Sequence, residues 1–286
     1  MALYRDVLLT VDFDRTLTAP DSTIPGRNLE AIRHFIAGGG AFTVNTGRSV
    51  NSYRPFFDKI PVNAPLLLYN GSAAYENGKL TMCRPIEMDL WQTMAEMLDR
   101  FPDMNLEIQS ADTHYLIGPK PEFTAFYDAV GWDYKTAIFG EDLGIFLKFA
   151  LFGTPHGSAV ADMYVGTEAE KRRCDEVQRQ ISALYSGKVE VFRSAPRIID
   201  VHAAGVSKGR AARDLQARLG RKYLVCVGDA ENDLTMLDMA DYAYCPADGV
   251  VAGRYENVCC CADGAVADVI YKKIPEIPAA ALDICP

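Results

Sequence analysis

A pair of aspartates near the start of the chain has the spacing and surroundings of a catalytic carboxylate pair. Asp12 and Asp14 follow the apolar run Val7–Val11, which is typical of a buried strand. Residues two apart at the end of a strand point the same way, so both carboxylates can serve one site. One ionised carboxylate can attack phosphorus and hold a phosphoryl group covalently. A neighbouring carboxyl can donate a proton to the leaving oxygen and later take one from water. The pair therefore indicates phosphoryl transfer.

Polar groups in other segments complete this chemistry. The segment Gly228–Asp233 contributes Asp229 and Asp233 as additional carboxylates. Acidic groups gathered in one place repel one another and an anionic substrate. Mg²⁺, which prefers few carboxylates together with waters and phosphate oxygens, removes that repulsion. Lys208, near a predicted helix start, can neutralise phosphate charge, and Thr46 can donate a hydrogen bond to it.

The predicted secondary structure brings these segments to one place. Apolar runs with the character of buried strands precede the polar segments, and helical stretches separate the runs. This alternation predicts βαβ units and a parallel sheet, in which ligands bind at the carboxyl ends of the strands. The predicted strands are 7–11, 41–45, 65–69 and 223–227, and the predicted helices are 25–37, one beginning near residue 48, 208–219 and 234–240.

The middle of the chain has a different character, with strands in adjacent pairs and helices between the pairs. The predicted elements there are helices 88–101 and 168–185 and strands 105–110, 114–118, 146–152, 188–193 and 197–202. Such a pattern favours a separate α+β domain. We therefore predict an α/β fold, in which a Rossmann-like parallel-sheet core of residues 1–82 and 199–286 carries an inserted α+β cap domain of residues 83–198.

The composition excludes several classes of protein. The 286 residues are 49% hydrophobic and 23% charged, with a formal net charge of −9. This is a globular composition, and the negative charge argues against a nucleic-acid partner. No segment has the apolar length of a membrane span, and acidic residues close the N-terminal apolar run too soon for a signal peptide.

Cysteine and histidine usage points to a reducing compartment and away from zinc. The eight cysteines form no CxxC pair, and Cys259–Cys261 are consecutive, which is a poor disulfide framework. Four scattered histidines make a Cys/His zinc site an unfavourable interpretation. We expect a cytoplasmic protein, in which Asn70-Gly71-Ser72 is a turn rather than a glycosylation site. Nothing in the sequence predicts an oligomeric state.

Four ordered motifs give the chain a family resemblance. They are Asp12–Leu17, Thr46–Arg48, Lys208 and Gly228–Asp233. These motifs resemble those of the haloacid dehalogenase superfamily. The large insertion between the second and third motifs is similar to that of its Cof-type subgroup, subfamily IIB, with a type C2B cap. Asn70-Gly71 and Gly205–Gly209 are also similar to that subgroup.

The resemblance implies a role for each site residue. Asp12 would be the nucleophile and Asp14 the acid/base, while Thr46 and Lys208 would bind the transferring phosphoryl group. The cap would close over the site and select a small phosphorylated metabolite. The remaining implied roles are Mg²⁺ binding by the Asp12 side chain, the Asp14 backbone carbonyl and Asp229, support of the metal and its waters by Asn232 and Asp233, and substrate or phosphate binding by Gly47, Arg48 and Asn70.

One residue departs from the family pattern. Arg15 follows the second aspartate, where the family usually has glycine with its greater backbone freedom. Either the loop has ordinary backbone angles, or Arg15 reaches toward the cap or the substrate. This departure bears on the detailed geometry of the loop more than on the class of reaction that the motifs imply.

Several functions other than hydrolysis remain open at this point. They are phosphoryl transfer by a phosphomutase of the same cap class, a nucleotide-sugar glycosyltransferase that binds metal through Asp-x-Asp, and a catalytically silent binding relative. Hydrolysis of a small phosphate ester is the leading hypothesis.

Among the other residues, we expect His114 and His202 to be surface or strand residues rather than ligands. The cap aromatics Phe123, Phe126, Tyr127 and Trp132 are expected to be mostly core, with some lining the pocket.

Overall fold

The computed structural model describes residues 4–111 and 113–277, which fold into two main sheets with helices packed against them. The strands in chain order are β1 (Val7–Val11), β2 (Ala41–Val44), β3 (Leu66–Leu68), β4 (Ala73–Glu76), β5 (Lys79–Cys83), β6 (Asn105–Ser110), β7 (His114–Ile117), β8 (Lys135–Thr136), β9 (Phe146–Phe152), β10 (Val189–Ala195), β11 (Ile198–Ala203), β12 (Tyr223–Val227), β13 (Tyr242–Pro246) and β14 (Glu256–Val258). The α-helices are α1 (Gly26–Ala37), α2 (Val50–Tyr53), α3 (Leu90–Arg100), α4 (Pro121–Val130), α5 (Glu168–Leu184), α6 (Lys208–Leu219), α7 (Leu234–Met239) and α8 (Ala265–Asp268).

The first sheet is parallel and has the strand order β14-β13-β12-β1-β2. Strand β1, which lies between β12 and β2, is buried along its whole length, because helices cover both faces of a parallel sheet. An isolated parallel bridge between Asn45 and Leu67 attaches the antiparallel sheet β3-β4-β5 beside β2. The predicted α/β fold with a parallel-sheet core is confirmed. The helix predicted near residue 48 is a single turn, α2, with Ser49 as its N-cap.

The second sheet has the order β10-β11-β9-β6-β7-β8 and is antiparallel except for its β7–β8 edge. One of its faces packs its apolar side chains against α3 and α5, with Ile108, Phe149 and Val201 fully buried there. The adjacent predicted strands 188–193 and 197–202 correspond to the antiparallel pair β10–β11. The predicted division between cap and core, at 198/199, falls within strand β11. This strand pairs with β9 and, as far as Ala203, with β10, so the chain leaves the second sheet only after Ala203.

The described helices include none that is both long enough and apolar enough to cross a membrane.

The loop after β1 has a left-handed residue at its centre. Arg15 has φ 62° and ψ 9°, a conformation that an L-residue with a side chain adopts at a cost and glycine adopts freely. The expectation of ordinary backbone angles is therefore wrong. Arg15 is not among the residues that line the cavity described below. The position that the family usually fills with glycine is therefore left-handed here, although arginine occupies it.

We expect Arg15→Gly to raise the free energy of unfolding by about 1 kcal/mol, because it relieves the left-handed strain. Denaturant unfolding of the two proteins measures the difference. Arg33→Gly in the exposed face of α1 is the matched control and should lower the free energy of unfolding by about 1 kcal/mol, since glycine is a poor helix former. A destabilised Arg15→Gly protein would contradict this account of the loop.

His202 in β11 is fully buried and held as a neutral ring. The Asn70 Nδ2 donates to His202 Nε2 over 3.1 Å, and His202 Nδ1 lies 2.9 Å from the Ser72 Oγ. The Ser72 hydroxyl donates to the Leu147 carbonyl at 3.1 Å, so Nδ1 is the ring donor. Burial lowers the pKa of His202 to about 3, although Asp200 acts in the opposite direction. The expectation that this histidine is a strand residue is confirmed, but it is not at the surface, and the same holds for His114.

This burial predicts a pH-dependent loss of stability. Because the pKa of His202 is lower in the folded than in the unfolded chain, the unfolded state takes up more protons between the two values. The contribution of His202 to the free energy of unfolding is fully present above the pKa that this histidine has in the unfolded chain. It is lost as the pH falls toward 3, the pKa in the folded chain. Relative to His202→Gln, the wild-type free energy of unfolding should fall by up to about 2 kcal/mol between about pH 8 and about pH 5.

The comparison of urea unfolding at each pH subtracts the contributions of all other titrating groups. Identical pH profiles for the wild type and His202→Gln would show that His202 is not held neutral.

Candidate active site

The polar segments predicted to form a site meet at the carboxyl edge of the parallel sheet. The loops after β1, β2 and β12 end there, and the N-terminus of α6 points at the same place. Strands β2, β1 and β12 are neighbours in the sheet, in that order. Residues far apart in the sequence are therefore delivered side by side.

Lys208 joins two of the aspartates through buried ion pairs. Its Nζ lies 2.5 Å from Asp12 Oδ1 and 2.6 Å from Asp233 Oδ1. Burial alone would lower the pKa of Lys208, but the two carboxylates outweigh it and raise the pKa above its ordinary value. The lysine is therefore a protonated, buried cation between the two acids. The other Asp233 oxygen, Oδ2, accepts from the backbone N–H groups of Asp229 and Ala230, each at 3.0 Å.

Asp229 completes a cluster of three buried carboxylates. Oxygens of Asp12, Asp229 and Asp233 lie within 4.8 Å of one another, and Thr16 Oγ1 donates to Asp229 Oδ1 at 2.9 Å. Burial and then the charge of Asp233 raise the pKa of Asp229 to about 7. The same two causes, in the same order, raise the pKa of Asp12 well above its ordinary range. Both shifts mean that the cluster lacks positive charge.

This cluster fits a hard divalent cation. It offers three carboxylates in a small space, and the raised pKa values of Asp12 and Asp229 are those expected of acids that have too few cations beside them. Oxygen donors of this kind suit Mg²⁺. Because both oxygens of Asp233 are already engaged by Lys208 and by backbone amides, Asp12 and Asp229 are the better direct ligands.

Asp14 is held by Arg48 rather than by the cluster. Arg48 Nε donates to Asp14 Oδ2 at 2.8 Å and Arg48 Nη2 to Asp14 Oδ1 at 2.7 Å, which is a bidentate pair. The guanidinium also donates to the Ser52 carbonyl and lies 4.9 Å from the centre of the Phe13 ring. The Asp14 side chain is thus fixed at the cavity wall, with its carboxylate away from the metal cluster.

The loop after β2 supplies the remaining predicted residues. Thr46, Gly47 and Arg48 all line the cavity. A Cβ at Gly47 would lie 3.0 Å from Asn70 Oδ1, so only glycine allows this close approach. Asn70 itself is not on the cavity wall. Its Nδ2 donates to Asp200 Oδ2 and its Oδ1 accepts from Asn232, so the structure gives it a linking position behind the wall.

A cavity of about 690 Å³, including its open mouth, lies between the parallel sheet and the second sheet. Asp12, Asp14 and Asn232 form part of its floor. The opposite wall comes from the 83–203 segment, where the turn 160–164 contributes Met163 and Tyr164. The wall residues from this segment are Gln109, His114, Trp132, Lys148, Phe152, Val160, Met163, Tyr164, Ser194, Ala195, Ile198 and Asp200. Trp132 therefore lines the cavity, while Phe123, Phe126 and Tyr127 are buried in the core as expected.

Buried polar contacts join the second sheet to the loop after β2. Lys148 Nζ lies 3.1 Å from both the Gly47 carbonyl and Asp200 Oδ1. His114 Nε2 lies 2.6 Å from Ser49 Oγ. These contacts fix the wall over the aspartates.

The sequence interpretation missed these wall residues, although a signal for them exists. In β6, Asn105, Glu107 and Gln109 alternate with apolar residues, and in β11 Asp200 and His202 do the same. A period of two normally means that the polar face meets water. Here both faces are buried, so the alternation marks a polar face turned toward a site.

Comparison with known proteins agrees with this geometry. The chain matches the haloacid dehalogenase-like hydrolase family over residues 9–251. It is 23% identical over 250 residues to the 5-amino-6-(5-phospho-D-ribitylamino)uracil phosphatase YwtE of Bacillus subtilis (strain 168), covering 82% of this chain and 85% of that protein. It is also 23% identical over 269 residues to the HMP-PP phosphatase of Serratia proteamaculans (strain 568), covering 88% and 85%.

Solved structures show the same fold. A protein from Streptococcus mutans UA159 superposes with a TM-score of 0.75 at 17% identity, covering 92% of this chain and 97% of that one. The subclass IIB sugar phosphatase BT4131 of the same superfamily superposes with a TM-score of 0.71 at 18% identity, also covering 92% and 97%. With a family match over most of its length, the chain belongs to the haloacid dehalogenase-like hydrolases.

Proposed function

We propose that this phosphatase hydrolyses small phosphate monoesters through a phosphoaspartate on Asp12, with Mg²⁺ as its cofactor. The observation that carries the proposal is the buried Asp12–Lys208–Asp233 arrangement beside Asp229, in which Asp12 lies on the floor of the cavity. A carboxylate held by one lysine and open to a cavity has the position of a nucleophile. The phosphatase names of the relatives support small phosphorylated metabolites as substrates.

The first chemical step forms the covalent intermediate. An oxygen of Asp12 attacks phosphorus while the bond from phosphorus to the ester oxygen breaks, and the departing alcohol takes a proton from Asp14. Lys208 and the hydroxyl of Thr46 stabilise negative charge on the phosphoryl oxygens. In the second step water attacks the phosphoaspartate, Asp14 accepts its proton, and inorganic phosphate leaves as the Asp12 carboxylate is restored.

The acid/base role of Asp14 requires a change at Arg48. Both oxygens of Asp14 accept hydrogen bonds from Arg48 in this structure. Asp14 therefore has to leave at least one of them before it can bind a proton for the leaving group. A substrate phosphate beside Arg48 offers the guanidinium another anionic partner, since phosphate suits its bidentate geometry.

Mg²⁺ bound by Asp12 and Asp229 would neutralise charge on the phosphate and orient it for attack. The Asp14 carbonyl is proposed as a further ligand. Asn232 and Asp233 are proposed to hold the surrounding waters, which agrees with the engagement of Asp233 by Lys208 and backbone amides.

The inserted segment is proposed to act as the cap that selects the substrate. It supplies most of the cavity wall, and its sheet is separate from the parallel sheet. Since β11 stays in the cap sheet to Ala203, we place the division of the two domains after this strand. The described cysteines are free thiols, which agrees with the proposed cytoplasmic location.

The proposal predicts Mg²⁺-dependent release of phosphate that requires Asp12. With phenyl phosphate and a panel of phosphorylated metabolites, wild-type activity should appear with Mg²⁺ and disappear with chelator. Asp12→Asn should lower kcat by at least about a thousandfold, because the amide is no nucleophile while its shape is nearly unchanged. Asp58→Asn, at an exposed aspartate outside the site, is the matched control and should keep full activity. Appreciable turnover by Asp12→Asn, with a circular dichroism spectrum like that of the wild type, would sink the mechanism.

Asp14→Asn separates the two steps. The variant should form some phosphoenzyme with an activated ester such as p-nitrophenyl phosphate, because that leaving group departs without a proton. It should then hydrolyse the intermediate at least about a hundredfold more slowly, since no base activates water. Intact-protein mass spectrometry after mixing measures the trapped phosphoenzyme. Rapid steady turnover by Asp14→Asn would instead exclude its acid/base role.

A further inference from the structure

A row of three polar residues crosses the cap sheet above the site. In the strand register, Gln109 of β6 lies opposite His114 of β7 on one side and opposite Lys148 of β9 on the other. All three are buried, and all three line the cavity. Side chains directly opposite one another in antiparallel strands share a face. The row is therefore a continuous polar part of the cavity roof.

Each of the two outer members of the row lies close to two polar groups of the protein. His114 lies between Glu107 Oε1, 2.9 Å from its Nδ1, and Ser49 Oγ, 2.6 Å from its Nε2. Lys148 is paired with Asp200 and donates to the Gly47 carbonyl. Both residues thus tie the cap to the core.

The middle member keeps one polar atom without a partner. Gln109 Nε2 donates to Glu107 Oε2 at 3.1 Å and to Oε1 at 3.2 Å. This pairing fixes the amide orientation, because a carboxylate accepts only from the nitrogen. Within residues 4–111 and 113–277, Gln109 Oε1 has no hydrogen-bond partner, although the residue is only 5% exposed. An unsatisfied buried acceptor is costly, so a donor that reached this oxygen from the cavity would gain a hydrogen bond.

The charges around the cavity are already balanced by ion pairs. The two cations in its lining, Arg48 and Lys148, are paired with Asp14 and Asp200. The transferring phosphate would gain the proposed metal and the Arg48 guanidinium as it turns away from Asp14, beside Lys208. A second phosphate or a carboxylate on the same substrate would have to break the Lys148–Asp200 pair to gain a cation.

Apart from Ser194 and Asp200, the rest of the cap wall is largely apolar. Trp132, Phe152 and Met163 line it, together with Val160, Tyr164, Ala195 and Ile198. Such a wall favours a leaving group with an apolar face over one that is polar on all sides.

We infer that the substrate is a phosphate monoester of an uncharged alcohol that donates a hydrogen bond from an O–H or N–H group to Gln109 Oε1 and places an apolar face against Trp132, Phe152 and Met163. This inference rests on the proposed function and adds the class of leaving group. Esters with a second anionic group are excluded as preferred substrates.

The test compares classes of ester on wild-type enzyme and on Gln109→Met. Esters of sugars, sugar alcohols and nucleosides represent uncharged donors, whereas sugar bisphosphates and phosphorylated hydroxy acids carry a second anion. Phenyl phosphate has no donor in its leaving group. For the wild type, kcat/KM for the best esters of uncharged alcohols should be at least about tenfold higher than kcat/KM for esters that carry a second anionic group.

Gln109→Met should lower kcat/KM for the best donor ester by about ten- to a hundredfold and leave phenyl phosphate within about twofold. Gln178→Met is the matched control, because this glutamine bonds to the Val191 carbonyl and is outside the cavity lining. It should leave both substrates unchanged.

The outcomes separate this inference from the function it rests on. If wild type hydrolysed phenyl phosphate but preferred a bisphosphate or a phosphorylated acid, the inference would be overturned and the phosphatase mechanism would stand. An equal loss on phenyl phosphate and on the donor ester in Gln109→Met would also overturn it. If no ester at all were hydrolysed, the proposed function would fail. Calorimetric affinities of the same compounds for wild type would then test the cavity, and tighter binding of second-anion compounds would count against the inference.

Discussion

The buried ammonium group of Lys208 is the contact on which the site depends. Two carboxylates, Asp12 and Asp233, come within hydrogen-bond distance of its nitrogen, and all three side chains are buried. Removing charges from water is costly, and a buried pair is stable only when partners and hydrogen bonds replace the hydration. Lys208 therefore also fixes structure, because it holds the start of α6 against the ends of β1 and β12. The parallel topology makes this possible by bringing the ends of these strands to one edge of the sheet.

A second constraint is the polar contact between cap and core. Hydrogen bonds such as Lys148 with the Gly47 carbonyl and His114 with Ser49 occupy a place where most domains pack apolar side chains. Separating apolar surfaces exposes them to water, whereas polar groups regain hydration when they separate. This contact therefore suits a cap that opens for substrate entry and closes with defined hydrogen bonds. The apolar cores lie elsewhere, under α3 and α5 in the cap and around β1 in the parallel sheet.

Sequence patterns were sufficient for the strands that carry the site and for the residues at their ends, but not for β4, β5, β8, β13, β14 or α4. Asp12, Thr46 and Asp229 each follow a buried strand, and the rule that ligands bind at the carboxyl ends of parallel strands brings them together. Which side chains bond to one another within the site could not be predicted in this way. That Arg48 binds Asp14, or that Gln109 lies between His114 and Lys148, depends on register across strands distant in sequence. The left-handed Arg15 was unpredictable for another reason, since local preference is overridden there by the loop's fixed ends.

The balance of charge at the site explains why a cation and the substrate belong together. Four aspartates, at positions 12, 14, 229 and 233, share two buried cations, Arg48 and Lys208, and each cation is already paired. A phosphate monoester adds further negative charge to a region where burial already raises the pKa of Asp12 and Asp229. Its entry is favourable only if positive charge enters with it or is released to it. In the proposed mechanism a divalent cation would supply the first, and the Arg48 guanidinium, moving from Asp14 toward the phosphate, would supply the second. The same movement would free Asp14 for proton transfer, so that substrate binding itself would prepare the acid that the leaving group needs.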